Sequence, residues 1–270
     1  MDVEPDEVDA SSAPLIEHLT ELRTRLLYCV GTIFALFVIA FIFAEPIYQI
    51  LLKPYEWGTD GDAAPLQSIR LEGLLITYIK VALWAAVFCS FPVLSYHLYR
   101  FIAPGLYKQE RAAFAPYLVA APLLFVSGAA LIYFMIMPLA VDFLTGLSAG
   151  SEEGGVGIVT VPDVERYLSF IMMLILAFGL VFQLPVVISL LARAGLVTSK
   201  TLADKRKYAI VAIFAAGAFL TPPDPVSQIG LALPTLLLYE ISIYCARLIE
   251  RKRGDDAEDD DADDQDAATA

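Results

Sequence analysis

Histidine and cysteine are scarce in this chain, with two and three residues respectively among 270. His18 and His97 are isolated from any paired or metal-binding cluster of cysteines, which argues against a metal centre. Cys29, Cys89 and Cys245 each lie inside or at the end of an apolar run and read as small hydrophobes rather than as a disulfide framework. A Gly-rich phosphate loop, a nucleophile elbow and an internal repeat are all missing. Their absence argues against nucleotide binding, Ser-type hydrolysis and a solenoid. The first 14 residues are acidic and lack the basic start and apolar centre of a secretory signal, so the first apolar run is expected to be a permanent anchor. Basic residues are also few, 18 against 31 acids, for a net charge of −13.

What the chain has in abundance is apolar sequence. Hydrophobic residues make up 58% and the mean hydropathy is +0.65, in long blocks rather than short stripes, which points to membrane spans. The acidity is concentrated at the ends: residues 1–21 hold seven acids and residues 254–270 hold nine. Residues 1–11 and 251–270 are therefore expected to be disordered acidic tails around a 12–250 membrane-spanning body, with solubility as their role.

Six spans are expected, roughly 26–44, 74–99, 113–138, 166–192, 208–221 and 226–247. The first four are long enough to cross a ~30 Å hydrocarbon core. The fifth, Tyr208 to Leu220, offers only about 20 Å of helix. Charge distribution still favours six crossings. One side then collects 14 Lys and Arg and the other only Lys53, Arg70 and Arg166, which places both termini in the cytoplasm by the positive-inside rule. The fold class is accordingly all-α, polytopic, with a short fifth helix. Segment 139–165, Gly-rich and acidic, is expected to be an outer loop or a short interfacial helix.

Several polar residues need reasons beyond solubility. In "SSAPLIEHLTELRTRLL", Ser12 is a plausible N-cap with Pro14 in the first turn, and Leu15, Leu19, Leu22 and Leu26 form one stripe of an interfacial helix. Glu21 and Arg25, four apart, are placed to pair. In "FIAPGLYKQER", Pro104 ends the second span and Gly105 permits a tight turn. Glu110 then sits near a helix N-terminus, where the macrodipole favours its charge, beside Lys108 and Arg111. Phe101, Leu106 and Tyr107 add apolar surface for which charge balance alone gives no reason. Gln183 lies near the middle of the fourth span beside Pro185, where an amide turns inward to find partners. "TPPDPVSQ" holds Asp224 among Pro222, Pro223 and Pro225 in a rigid outer hairpin.

The stretches "HLTELRTRLL", "FPVLSYHLYRFIAPGLYKQER", "YLSFIMMLILAFGLVFQLPVV", "GLVTSKTLADKRKYAIV" and "FLTPPDPVSQIGLALPTLLLYE", in this order and spacing, resemble the TatC family. TatC is the multispanning subunit of the twin-arginine protein translocase, and the resemblance covers about residues 14–250. It implies six spans with both termini cytoplasmic, the fifth and sixth short, in the bacterial inner membrane. It implies recognition of twin-arginine signal peptides through Glu21, Arg23, Phe101 and Glu110, and an oligomeric complex with the single-span subunits TatA and TatB. TatB is then expected against helices five and six, beside the Pro222–Pro223–Asp224 hairpin, with Pro104 shaping the first cytoplasmic turn. Export of folded proteins would draw on the proton gradient, with no catalytic centre, no cofactor and no nucleic-acid partner. Many family members carry a glutamate where this chain has Gln183, so the site stays polar but cannot ionise.

Two other classes fit a polytopic chain. An ion-coupled small-solute transporter is expected to show intramembrane ionisable pairs and repeated halves; here the midplane holds one uncharged amide and no repeat. An intramembrane protease would need a Ser–His pair, paired aspartates or a metal motif within the spans, and none is legible.

Overall fold

The structure is a computed structural model that describes residues 6–59, 65–102, 110–149, 162–220 and 225–269. Ten α-helices are described: α1 (Asp6–Ile42), α2 (Ala44–Trp57), α3 (Gly73–Ile102), α4 (Glu110–Leu131), α5 (Met137–Ala149), α6 (Val164–Val181), α7 (Leu184–Arg193), α8 (Ser199–Asp204), α9 (Arg206–Leu220) and α10 (Pro225–Thr269). A π-helical turn, Ile132–Ile136, joins α4 to α5. The fold is all-α, and among the described residues five stretches are long and apolar enough to cross a bilayer: Leu19–Ile42, Gly73–Phe101, Pro116–Gly146, Val164–Arg193 and Ser227–Arg251.

Several expectations need correcting. The separate interfacial helix before the first span is not separate: α1 runs unbroken from Asp6, so Ser12 and Pro14 lie inside it and not at its start. No glycine or proline interrupts residues 15–30, and extending a formed helix avoids the cost of a new nucleus. The expected third span continues through the π-helical turn and α5 as far as Ala149, into the segment expected to be an outer loop or a short interfacial helix. The fifth helix is short, α9 having 15 residues. The sixth is not: the apolar part of α10 is 25 residues long, because nothing between Ser227 and Arg251 breaks it except Pro234, which the helix absorbs. The backbone is helical over residues 6–11 and 251–269, inside the stretches expected to be acidic tails.

The chain forms two compact units, Met1–Ile50 with Ser68–Pro122, and Leu51–Gln67 with Leu123–Ala270. In the first, α1 packs along α3. The stacked rings of Tyr28 and His97 and the edge-on rings of Tyr48 and Tyr78 fix the relative direction of the two chain segments. Moving 20 residues forward from Tyr28 moves 19 backward on α3, so the segments are antiparallel. Val81, Ala82 and Ala86 are buried on α3, small enough to let a neighbouring helix close in.

The second unit has a larger core. Phe125, Ile132, Ile136, Met137, Leu168, Ile171 and Leu174 are almost fully buried. Helix α4 meets α6 at Gly128, where an added Cβ would come within 2.7 Å of the Phe178 carbonyl oxygen. The short arm 51–67 is tied down at several points. The ring of Tyr55 packs edge-on against Tyr167, whose hydroxyl donates to the Leu51 carbonyl at 3.3 Å. Trp57 stacks on Phe134 and meets Tyr133 edge-on. Gly58 lies so close to Pro138 and Val141 that a Cβ would sit 2.5 Å from the Pro138 oxygen. Gln67 then forms a parallel bridge with Asp163, its amide donating to Pro162 and its carbonyl accepting from Val164. Asp163 also caps α6, accepting from the Glu165 amide at 3.0 Å.

Helix α10 packs against α7, α8, α9 and α5. Helix α7 ends in a Schellman motif: Leu196 donates to Leu191, Gly195 donates to Ala192, and Gly195 takes φ of 72° as the motif requires. Thr198 caps the next helix, accepting from the Thr201 amide.

Candidate functional site

The candidate recognition residues that the structure describes lie in the first unit, where α1 and α3 run antiparallel. Arg25 is the hinge of the arrangement. Its Nη2 pairs with Glu21 Oε1 one turn earlier on α1, and its Nη1 donates to the His97 carbonyl of α3 at 3.2 Å. The Arg25 side chain is 13% exposed and that of Glu21 is 37% exposed. The pairing anticipated from the four-residue spacing is thus present, and it leaves the carboxylate the more accessible partner.

His97 is built into the same corner. Its ring stacks on Tyr28 with centroids 5.7 Å apart and planes 10° off parallel, and Tyr96 meets it edge-on at 5.5 Å. Arg100 donates to the Tyr96 hydroxyl at 3.2 Å. Phe101 is half-buried, four residues beyond His97 and therefore one turn further along the same face of α3. The antiparallel register puts the end of α3 beside the part of α1 that carries Glu21 and Arg25. Arg23 is exposed. Glu110 is the first residue of α4, as its reading as a helix-start carboxylate requires, while its side chain lies outside the described residues. Pro104 also lies outside them; α3 ends two residues before it, at Ile102.

Gln183 is placed differently from expectation. It does not sit within a continuous helix but at a break, in the turn between α6 and α7, where it occupies the N-cap of α7 without a side-chain capping bond. Its amide donates to the Leu180 carbonyl and its carbonyl accepts from Val187. Pro185 accounts for the break. It has no amide to continue the ladder and falls in the first turn of α7, where none is needed. Gln183 is half-buried, inside the stretch long enough to span.

Pro222, Pro223 and Asp224 fall outside the described residues, between α9 and α10. The opposite end of that helix pair is well defined. Arg206 pairs with Glu240 at 2.7 Å, and the Tyr239 hydroxyl donates to the Leu202 carbonyl at 2.9 Å. Glu250 accepts from the amide and the hydroxyl of Ser199, at 2.6 and 2.5 Å. None of these contacts was anticipated from the sequence. The "VTSK" cap signal at Thr198 marks α8, but nothing in the sequence links it to Glu250.

Comparison with known proteins points one way. The family model for TatC, described as Sec-independent protein translocase protein, matches residues 17–234. The Sec-independent protein translocase protein TatC of Magnetococcus marinus is 44% identical over 243 residues, covering 90% of this chain and 87% of that protein. Its counterpart in Escherichia coli strain K12 is 40% identical over 238 residues, covering 87% and 88%. A crystal structure described as the twin-arginine translocase receptor TatC aligns with a TM-score of 0.74 at 38% identity, over 86% of this chain and 99% of that one.

Proposed function

The chain belongs to the TatC family of Sec-independent protein translocase proteins, and from that premise we propose that it is the receptor for twin-arginine signal peptides. Recognition takes place at the cytoplasmic face of the bacterial inner membrane, with both termini on that side. The observation that carries this reading is the Glu21 corner. A carboxylate 37% exposed stands at one end of the α1–α3 pair, beside the end of α3 that carries half-buried Phe101. Only seven residues separate Ile102 from Glu110 at the start of α4, so the second carboxylate belongs to the same end.

The chemistry matches a ligand with two adjacent guanidinium groups. Charge-assisted contacts between guanidinium and carboxylate are about twice as strong as neutral hydrogen bonds, and two carboxylates on neighbouring elements suit two consecutive arginines. Phe101 offers apolar surface for the segment that follows them. Arg23, exposed on α1, supplies donors to the peptide's oxygens. TatB docks on the edge formed by α9, α10 and the Pro222–Pro223–Asp224 hairpin, TatA joins the oligomeric complex, and the proton gradient drives export of folded cargo. Gln183 contributes hydrogen bonds to a partner helix or to the inserted signal. Residues 12–250 do this work, with the acidic ends serving solubility.

The test is export of a folded fluorescent reporter carrying a twin-arginine signal, in cells depleted of their own TatC. Expression of this chain with matching TatA and TatB is expected to move the reporter out of the cytoplasm. Retention of the reporter, with the chain correctly inserted, would overturn the receptor assignment.

A further inference from the structure

Glu21, the exposed carboxylate of the recognition corner, is already occupied by a guanidinium of its own helix. Arg25 reaches it from one turn away, and is held in that position by a second contact, Nη1 to the His97 carbonyl at 3.2 Å. The two contacts differ in kind. The bond to a backbone carbonyl of α3 is a packing contact between helices. The bond to Glu21 engages the charge of a group that the proposed ligand also needs. From this geometry we infer that Arg25 is an internal stand-in for a signal-peptide arginine, a competitor that the twin-arginine peptide displaces from Glu21. The inference rests on the receptor reading above and deepens it by assigning Arg25 a role in setting affinity and specificity.

The arrangement suits exchange. Arg25, 13% exposed, does not become a naked buried charge when it lets go of Glu21, because the His97 carbonyl keeps one arm of its fork and the Tyr28–His97 stack stays beside it. Glu21, 37% exposed, is open to an incoming donor from the solvent side. A pair of this exposure within one helix is weak, so opening it costs little and a two-arginine ligand can complete the exchange. A ligand with a single cation gains less from Glu21 and has the same competitor to remove. Arg25 therefore raises the threshold that a binding peptide must pass.

The experiment uses the purified full chain and a fluorescent synthetic peptide with two consecutive arginines followed by an apolar stretch, titrated at low salt and read by anisotropy. Glu21→Gln is expected to weaken binding. Arg25→Gln is expected to tighten it by roughly two- to fivefold, the scale of a partly exposed pair. Arg25→Lys is expected to fall between wild type and Arg25→Gln, since an ammonium group lacks the planar fork that holds Glu21 and the His97 carbonyl together. The double variant should bind like Glu21→Gln alone, because a competitor has no effect once its target is gone. The lysine variant keeps the test decisive if the glutamine variant does not fold. Weaker or unchanged binding by both Arg25 variants, with Glu21→Gln still weakened, would make Arg25 a positioning group and overturn the inference while leaving the receptor reading intact. Unchanged binding by Glu21→Gln would instead remove Glu21 from recognition, and the displacement of Arg25 with it.

Discussion

Glu250, near the end of the apolar part of α10, takes both the amide and the hydroxyl of Ser199, 51 residues earlier at the first position of α8. It adds a carboxylate to a helix N-terminus already capped by Thr198, where backbone amides and the dipole favour negative charge. Ser199 is buried, so losing the partner would strand its polar atoms. Glu250→Ala is expected to destabilise the α7–α9 connection by about 1.5–3 kcal/mol, the range for hydrogen bonds to charged groups. Limited proteolysis between residues 193 and 207 reads this directly, and cleavage at the wild-type rate would show the contact to be dispensable.

Glu110→Ala is expected to weaken binding of a twin-arginine peptide by about 1.5–3 kcal/mol through loss of a charge-assisted contact. Glu110→Asp, which keeps the charge at the start of α4, should retain much of the affinity. Crosslinking of the signal peptide to both variants provides the measurement, and equal crosslinking in the alanine variant removes Glu110 from the site.

Gln183→Leu is expected to reduce export more than folding. The break between α6 and α7 is set by backbone geometry and Pro185, so leucine leaves it in place but cannot hydrogen-bond a partner. Gln183→Glu should be tolerated. Export assays paired with thermal unfolding separate the two effects, and equal export by wild type and Gln183→Leu would return the residue to packing.

Helix α9 has 15 residues, about 22 Å of helix against a ~30 Å hydrocarbon core. A crossing by α9 would call for a thinner bilayer there or for neighbouring protein over its ends. Inserting four leucines after Ala215 adds about one turn and relieves the mismatch. The lengthened protein should insert but export poorly if thinning or docking depends on the short span. Normal export with intact TatB pairing would show the shortness to be incidental.

The spans were legible because apolar runs of such length suit little besides a bilayer, and the fifth helix was legible as short because "DKRK" and "TPPDP" bracket it so closely. Helix α2 was not, since Glu45, Lys53, Pro46 and Pro54 make residues 44–57 look like a loop. It is helical because Pro46 falls in its first turn and because buried Pro54 and Tyr55 fix its far end in the core. The Glu21–Arg25 pair followed from four-residue spacing. The second arm of Arg25 did not, because the His97 carbonyl is 72 residues away and belongs to α1–α3 packing. Gln183 was legible as unusual, but not as the cap of a new helix, because Pro185 allows either a kink or a restart.

The bridge between Gln67 and Asp163 carries a consequence for biosynthesis. Residues 51–67 leave the ribosome early, yet the groups that secure them (Tyr133, Phe134, Val141 and residues 162–167) are made much later. Gln67 precedes Asp163 by 96 residues, which at ordinary elongation rates of about 5–20 residues per second is a wait of roughly 5–20 s. During that interval Tyr55 has no Tyr167 to pack against, and Trp57 has no aromatic partner until Tyr133 and Phe134 are made. The nascent chain therefore passes through a stage in which α1 and α3 can already pair while an aromatic arm stays undocked, exposed to proteases and membrane chaperones until the fourth span arrives.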